Sequence, residues 1–290
     1  MCACNHNLGG NTMAKAFSVL SWNVEHFGAN DKAKKKPKKP IKPIIQLIAD
    51  QKADIVAIYE VVGSVVFDTI VTEMPNYQFH ITEGPQSQEI LVGVKKTLAS
   101  FFTQRLEFKS GQSTLRPGAL LTVKVDGKNY PLLFLHLKSM TVPKGFGLRD
   151  DMTERALKFR KSLDKAAGGP GKAPYIFLGD LNTMGMNLTY SDKDVGASEE
   201  IERLRKRAEK RGMKVLGKAH ELTYWPGSSS SYNPGNLDHV VAADHVQFKS
   251  FGGNPVDIRG WPEKSTDAQK NAWAKKYSDH AILFFEVQKV

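Results

Sequence analysis

Apolar residues fall along this chain in short dense runs, and several of those runs break off at a polar residue. Residues 174–185, PYIFLGDLNTMG, show the pattern. Tyr175 to Leu178 are apolar without alternation, which predicts a strand buried on both faces. The run then turns at Gly179 into Asp180 and Asn182. Residues two apart in an extended segment point to the same side. A carboxylate and an amide there are costly to bury unless something binds them. The plainer reading is a turn in which Asp and Asn bond their own backbone.

The pattern recurs. FSVLSWNVE ends at Asn23 and Glu25, DIVAIYE at Glu60, and YPLLFLHLKS at His136 and Lys138. Two runs invert it: NLDHVVAA opens with Asp238 and His239, and SDHAILFFEV opens with Asp279 and His280. If those two strands run opposite to the others, all these polar groups gather at one edge of the sheets, as a site on a rigid scaffold requires. Further strands are predicted at Glu89–Lys95, Ala119–Val125 and Tyr130–Leu137. Helices are predicted over IIQLIADQ, SVVFDTIVTEM, DMTERALKFRKSLDKAA from Asp151, and near Ser198–Arg211. The third of these stops at the breaker cluster Gly168-Gly169-Pro170-Gly171. Another helix, near Thr266–Lys276, opens with Thr266 and Gln269 at capping-box spacing. There is no strict βαβ alternation. The expectation is a mixed sheet or two stacked sheets with helices outside.

Length and composition change this picture little. The chain has 290 residues, 41% apolar and 24% charged, which suits one large globular domain. Residues 1–13 read as an irregular tail before a domain spanning 14–290. The start lacks a signal-peptide core, and no apolar stretch nears the roughly 20 residues that span a membrane. Cys2 and Cys4 lie in the tail beside His6, so no disulfide framework exists. A cytoplasmic protein with no membrane association is expected, and nothing implies a protein partner.

Charge changes the picture more. A formal charge of +11 argues for a polyanionic partner. Residues 31–43, DKAKKKPKKPIKP, hold seven lysines and three prolines and read as an extended solvated loop. The loop lies between Asn23 and Glu60, hence near the rim of the predicted edge. There it would add sequence-independent affinity for nucleic acid, DNA rather than RNA. The helix IERLRKRAEKRG offers a second basic face unless its own acids neutralise it. Tyr224, Trp225 and Tyr232 either stack on bases or pack in the core. No recognition helix or zinc-finger pattern appears.

The candidate chemistry is coherent. Glu60, Asp279 and Glu25 are hard oxygen donors suited to Mg²⁺, with Mn²⁺ as the alternative. His280 with Asp238 reads as an imidazole oriented by a carboxylate. Asn23, Asn182 and His136 can donate to an oxyanion. Metal, proton shuttle and oxyanion donors together suit hydrolysis of a phosphate ester. His239 and His245 read as structural.

The set Trp22-Asn23, Glu60, HLKS (His136 to Ser139), GDLN (Gly179 to Asn182), LDH (Leu237 to His239) and SDH (Ser278 to His280) resembles the endonuclease/exonuclease/phosphatase superfamily, the DNase I-like phosphoesterases. The resemblance implies a four-layered α/β/β/α sandwich. It implies Glu60 as principal metal ligand with Asn23 and Asp279 beside it, and Asp180 as the residue that orients or deprotonates water. Asn182 and His136 would steady the scissile phosphate, with His280 paired to Asp238 contacting it as base or stabiliser. Arg116, leading RPGALLTV, matches an arginine that faces the substrate phosphate in relatives; its other reading is a surface arginine before a proline. Lys138 joins Arg116 as a candidate substrate contact.

Departures narrow the choice. Abasic-site endonucleases usually carry tyrosine where His136 stands. Thr183-Met184 replaces the aromatic-arginine pair of the inositol polyphosphate 5-phosphatases. Secreted DNases carry disulfides, and sphingomyelinases of this type are exported or membrane-attached. The resulting expectation is a Mg²⁺-dependent nuclease. The alternatives are a phosphatase or lipid phosphodiesterase of the same fold, an RNA nuclease, and a non-catalytic nucleic-acid-binding module. The last is disfavoured because every acid and histidine of the set is present.

Overall fold

The computed structural model describes residues 14–31, 36–188 and 190–289. The tail with Cys2, Cys4 and His6, and residues 32–35 of the lysine-rich loop, lie outside them. In chain order the strands are β1 (Lys15–Phe27), β2 (Asn30–Asp31), β3 (Lys36–Pro37), β4 (Ile55–Val61), β5 (Tyr77–Ile81), β6 (Glu89–Lys95), β7 (Ala99–Arg105), β8 (Gly118–Val125), β9 (Lys128–His136), β10 (Ile176–Asp180), β11 (Met213–Val215), β12 (Asp238–Ala243), β13 (Val256–Arg259) and β14 (Ile282–Gln288). The helices are α1 (Ile41–Asp50), α2 (Ser64–Glu73), α3 (Pro143–Ala166), α4 (Ala197–Glu209) and α5 (Asp267–Lys276).

Two six-stranded sheets form, in the orders β13-β14-β1-β4-β6-β5 and β11-β12-β10-β9-β8-β7, while β2 and β3 pair only with each other. Each sheet has one parallel pair at its centre, β1 with β4 and β9 with β10. All other neighbours in the two sheets are antiparallel. The expected α/β/β/α sandwich is therefore what forms. Among the described residues no helix is long and apolar enough to cross a membrane.

Alternation along the strands builds the layers. In β10, Ile176 and Leu178 join the core between the sheets, whereas Phe177 joins Met152, Ala156 and Leu157 of α3. In β9, Leu132 and Phe134 face the seam, and Leu133 and Leu135 face the helices. On the other sheet Ile44, Ile45 and Ile48 of α1 and Trp273 of α5 are buried against the strands. A central strand covered on both faces reads as a solid apolar run.

Some boundaries differ from expectation. The helix expected from Asp151 begins at Pro143, because Pro143 occupies a first-turn position where proline is tolerated. β5, β7, β11 and β13 lack the dense apolar runs that mark the expected strands, and each is an outer strand of its sheet. The capping box at α5 forms as expected, with Thr266 accepting from Gln269 N at 3.3 Å.

At the start of β4, Asp54 ties β1 to its neighbours. It accepts from Lys15 Nζ at 2.8 Å, Lys95 Nζ at 2.8 Å, Ser18 N at 2.9 Å and Ser18 Oγ at 2.8 Å. Burial raises this carboxyl, but the bonds from Lys15, Lys95 and Ser18 outweigh it and hold the pKa at about 2. A depressed carboxyl stabilises the fold above its unfolded pKa and loses that contribution as pH falls through the folded value. Asp54→Asn should therefore cost about 2 kcal/mol at pH 7 in urea unfolding. The gap to wild type should narrow by about half at pH 3. A gap that stays constant with pH would show that these ion pairs do not carry the effect.

Candidate active site

Register across the second sheet sets three functional side chains in a row. His136 pairs with Asp180, and Asp180 with Asp238. They continue the alternation of Leu132, Phe134, Ile176 and Leu178, so they face the seam between the sheets at its polar end. From the first sheet Asn23 crosses the seam: its Nδ2 donates to Asp180 Oδ2 at 2.9 Å and to Glu60 Oε1 at 3.2 Å. His280, just before β14, places Nδ1 2.8 Å from Asp238 Oδ2 and Nε2 3.9 Å from Asp180 Oδ2. His136 Nε2 lies 3.5 Å from Asp180 Oδ2 and 3.7 Å from Glu60 Oε1. Asp180, Asp238 and His280 offer ligand atoms all within 4.8 Å of one another.

The remaining candidates surround this centre. Asp279 sits beside His280, within electrostatic reach of Glu25 and Glu60. Asn182 is buried; its Nδ2 donates to Leu137 O at 3.1 Å, and its backbone N donates to Asp180 Oδ1 at 3.0 Å. One amide hydrogen of Asn182 remains for another acceptor. Arg116 is partly buried, donates to Leu137 O at 3.3 Å and acts electrostatically on Asp180 and Glu60, so its surface reading falls. Lys138 is partly buried among Arg116, Lys144 and Arg149; burial and those charges lower its pKa. His239 is buried, 2.8 Å from Thr183 Oγ1, and His245 lies on the turn beyond the far end of β12.

Local irregularities aim these groups. Glu60 has φ +63° at a register shift between β4 and β6, and Glu25 (+25°) and His26 (+53°) mark a shift between β1 and β4. Bulges of this kind re-aim side chains beside active sites. Gly179 answers why the apolar run ends where it does. Its φ is +135°, and a Cβ there would lie 2.1 Å from Leu135 O and 2.6 Å from the Tyr59 hydroxyl. Only glycine lets β9, β10 and Tyr59 close up beneath Asp180.

The electrostatics describe a buried surplus of negative charge. Burial, then Asp238 and Glu60, push Asp180 up to about 7 against the pull of His280 and Asn23. Burial, then Glu25 and Glu60, push Asp279 up to about 6 against His280 and Lys39. Burial opposes charge on His280, but Asp238, Asp180 and Asp279 outweigh it and hold its pKa well above the usual imidazole range. Burial, then Arg116, drive His136 well below that range, and among the described residues its buried Nδ1 has no hydrogen-bond partner, nor has Arg116 Nε. Clustered carboxylates that disfavour one another's ionisation, all hard oxygen donors, fit a divalent cation such as Mg²⁺.

Other residues complete the site. Glu60 Oε2 accepts from Gln88 Nε2 at 2.7 Å and from His26 N at 3.0 Å. Gln88 just precedes β6, which starts at the polar edge, so it obeys the rule that exposes Asp238 and Asp279. Arg149 is almost wholly buried and binds the carbonyls of Lys138, Met140 and Gly185 and the Glu200 carboxylate, clamping the loops after β9 and β10. Tyr224 packs its ring on His280 at 5.3 Å. No periodic signal marks Arg149 or Tyr224.

Several sequence features resolve differently. Lys39, from the lysine-rich loop, is buried; it pairs with Glu25 at 2.6 Å and donates to Ala274 O at 3.0 Å. Lys42 pairs with Glu73. On α4 and just beyond it, Arg203, Arg205, Lys206, Arg207 and Arg211 are paired with acids, so no free basic face forms from them. Trp225 is a packing residue, against Trp261 and Asn271. A cavity of about 1120 Å³ lies along the C-terminal half of α3, away from the site.

Comparison with known proteins agrees with this fold. The C. elegans TDP2 structure superposes with a TM-score of 0.65 at 16% identity, covering 94% of this chain and 74% of that one. D. rerio TDP2 complexed with single-strand DNA product gives 0.59 at 16%, covering 94% and 99%. A mannosyl-6-phosphatase of Bacteroides thetaiotaomicron gives 0.60 at 14%, covering 94% and 100%. The search of curated proteins finds no match. Residues 20–280 match the model of the Endonuclease/Exonuclease/phosphatase family, and the chain belongs to that family.

Proposed function

We propose that this protein is a divalent-metal-dependent phosphodiesterase, an endonuclease that hydrolyses DNA with little sequence preference. The observation that carries this reading is the cluster of Asp180, Asp238 and His280 with ligand atoms within 4.8 Å, flanked by Glu60 and Asp279. Asn23, Glu60 and Asp279 would hold Mg²⁺ or Mn²⁺, which when bound acts as a Lewis acid on the phosphate. Asp180 orients the attacking water and takes its proton, and the water attacks in line with the leaving oxygen. His280, oriented by Asp238, donates to a phosphate oxygen, and Asn182, His136 and Arg116 supply further donors. Lys138 reaches a flanking phosphate.

The formal charge of +11 supports a polyanionic substrate. A DNA product held on the same fold in the fish protein supports a nucleic-acid strand. The sugar-phosphate phosphatase of the same fold supports a second reading, hydrolysis of a small phosphate monoester. Supercoiled plasmid incubated with Mg²⁺ separates them. Open circles that vanish with EDTA are the expected result. Intact plasmid, with phosphate released from monoesters, would replace the nuclease by a phosphatase.

A further inference from the structure

The groove of about 1120 Å³ along the C-terminal half of α3 is basic. Five cations line it, Lys158, Arg160, Lys161, Lys165 and Arg211, against one carboxylate, Asp164. It lies at the pole opposite the candidate site. The turn after α3 leads into β10, which carries Asp180 at its far end, about 16 Å of extended chain beyond Tyr175. The carboxylate is already engaged: Asp164 accepts from Gly171 N at 3.0 Å and Ala173 N at 2.9 Å, and Arg160 Nε lies 3.5 Å away. Arg160 is buried and also donates to Gly212 O. Lys158 and Arg211 share Glu154, at 3.5 Å and 2.5 Å, with Arg207.

Lys161 and Lys165 stand apart from these pairs. Both are exposed, and neither has an acidic partner among the described residues. Lys158, Lys161 and Lys165 recur at spacings of three and four, hence on one helix face, over about 10 Å of axis. Like charges so placed oppose helix formation, and no acid among the described residues offsets the last two. A row of point charges suits a linear polyanion, whereas a compact phosphate ligand needs donors that converge. A nucleic-acid strand in duplex geometry has a phosphate roughly every 3.4 Å, so about three span the row. The cations continue past the helix end: a second cavity of about 530 Å³, lined by Leu163 and Ala167, also holds Lys172. We propose that the groove binds a nucleic-acid strand through its phosphates, as a track separate from the catalytic edge. The choice of a strand rests on the nuclease reading and deepens it. The groove grips the substrate far from the cut, so it adds affinity for long strands and leaves the chemical step alone.

The test titrates the full chain in EDTA with a fluorescent single strand of about 30 nucleotides, between about 50 and 200 mM salt. Lys161→Gln with Lys165→Gln should weaken binding at the lower salt by at least about 10-fold. It should also reduce the salt slope by about 1.4, since each phosphate contact to a single strand contributes about 0.7. Lys52→Gln with Lys96→Gln is the control, two exposed lysines lost from the same pole on the other sheet, and should change neither. All four lysines are exposed, so the variants should fold. An unchanged slope in the first variant, or an equal loss in the control, would overturn the groove. So would vesicles of anionic lipid that bind through Lys161 and Lys165 while strand binding stays at the wild-type level. Turnover of bis(p-nitrophenyl) phosphate with Mg²⁺, measured separately, reports on the phosphodiesterase reading alone and should be equal in all three proteins. Strand binding that depends on Lys161 and Lys165, without turnover, would retire that reading and leave the groove standing.

Discussion

Asp180→Asn and His280→Ala should each lower the rate of metal-dependent phosphodiester hydrolysis by at least about 10²-fold, the scale of one lost transition-state contact. Asp180 is the group the rest of the proposed site is built around. Asn23 reaches it at 2.9 Å, His136 at 3.5 Å and His280 at 3.9 Å, and the Asn182 backbone bonds its other oxygen at 3.0 Å. An asparagine keeps the shape and removes the proton acceptor. Its fold should unfold no earlier than wild type, because the replaced carboxylate is buried among like charges. His280 and Asp238, 2.8 Å apart, act as one unit. Asp238→Asn combined with His280→Ala should therefore cost little more than His280→Ala alone. Initial rates on plasmid for wild type, Asp180→Asn, His280→Ala, Asp238→Asn and the double variant, with thermal melts alongside, decide it. Full activity in Asp180→Asn would end the assignment, and strict additivity would separate Asp238 from His280.

What could be read in the sequence, and what could not, follows from burial. β4, β10, β12 and β14 sit inside their sheets, and their dense apolar runs announce them together with the polar residues at their ends. Asp180, Asp238, His280 and Glu60 were legible for that reason. β5, β7, β11 and β13 are sheet edges, partly exposed or short, so their residues alternate weakly and carry no such signal. Register is a property of two strands at once. That His136, Asp180 and Asp238 stand in one row needed the pairing itself. The left-handed backbone at Glu60 and His26 is set by bulges that no single-strand pattern shows. Arg149 lies before the helix expected from Asp151, where no pattern marks it. Its burial beneath two loops depends on Glu200, 51 residues away. Of the three aromatics before β12, only tertiary packing could send Trp225 into the core and leave Tyr232 in water.

Gly179→Ala should be the most damaging single methyl in the molecule. Two costs combine. At φ +135° a side chain strains the backbone. The added carbon would also lie 2.1 Å from Leu135 O and 2.6 Å from the Tyr59 hydroxyl, contacts that cannot stand. Neither neighbour yields cheaply. Leu135 O belongs to the backbone of β9, and Tyr59 is wholly buried with its hydroxyl 3.0 Å from Ser21 Oγ. Backbone strain of about 1–3 kcal/mol and overpacking of about 1–3 kcal/mol give roughly 2–6 kcal/mol. That is much of the stability of an ordinary domain. Gly127→Ala is the control. Its φ is +80° and a Cβ there meets nothing within 4 Å, so only strain remains. Urea unfolding should show Gly179→Ala well below Gly127→Ala, and activity should fall further than stability. The carbon forces β9 and β10 apart at the residue before Asp180, and the row that sets His136 beside Asp180 is lost with that spacing. Equal, small effects in the two variants would mean that the seam gives way under Asp180, and that the site does not depend on the close approach of these strands.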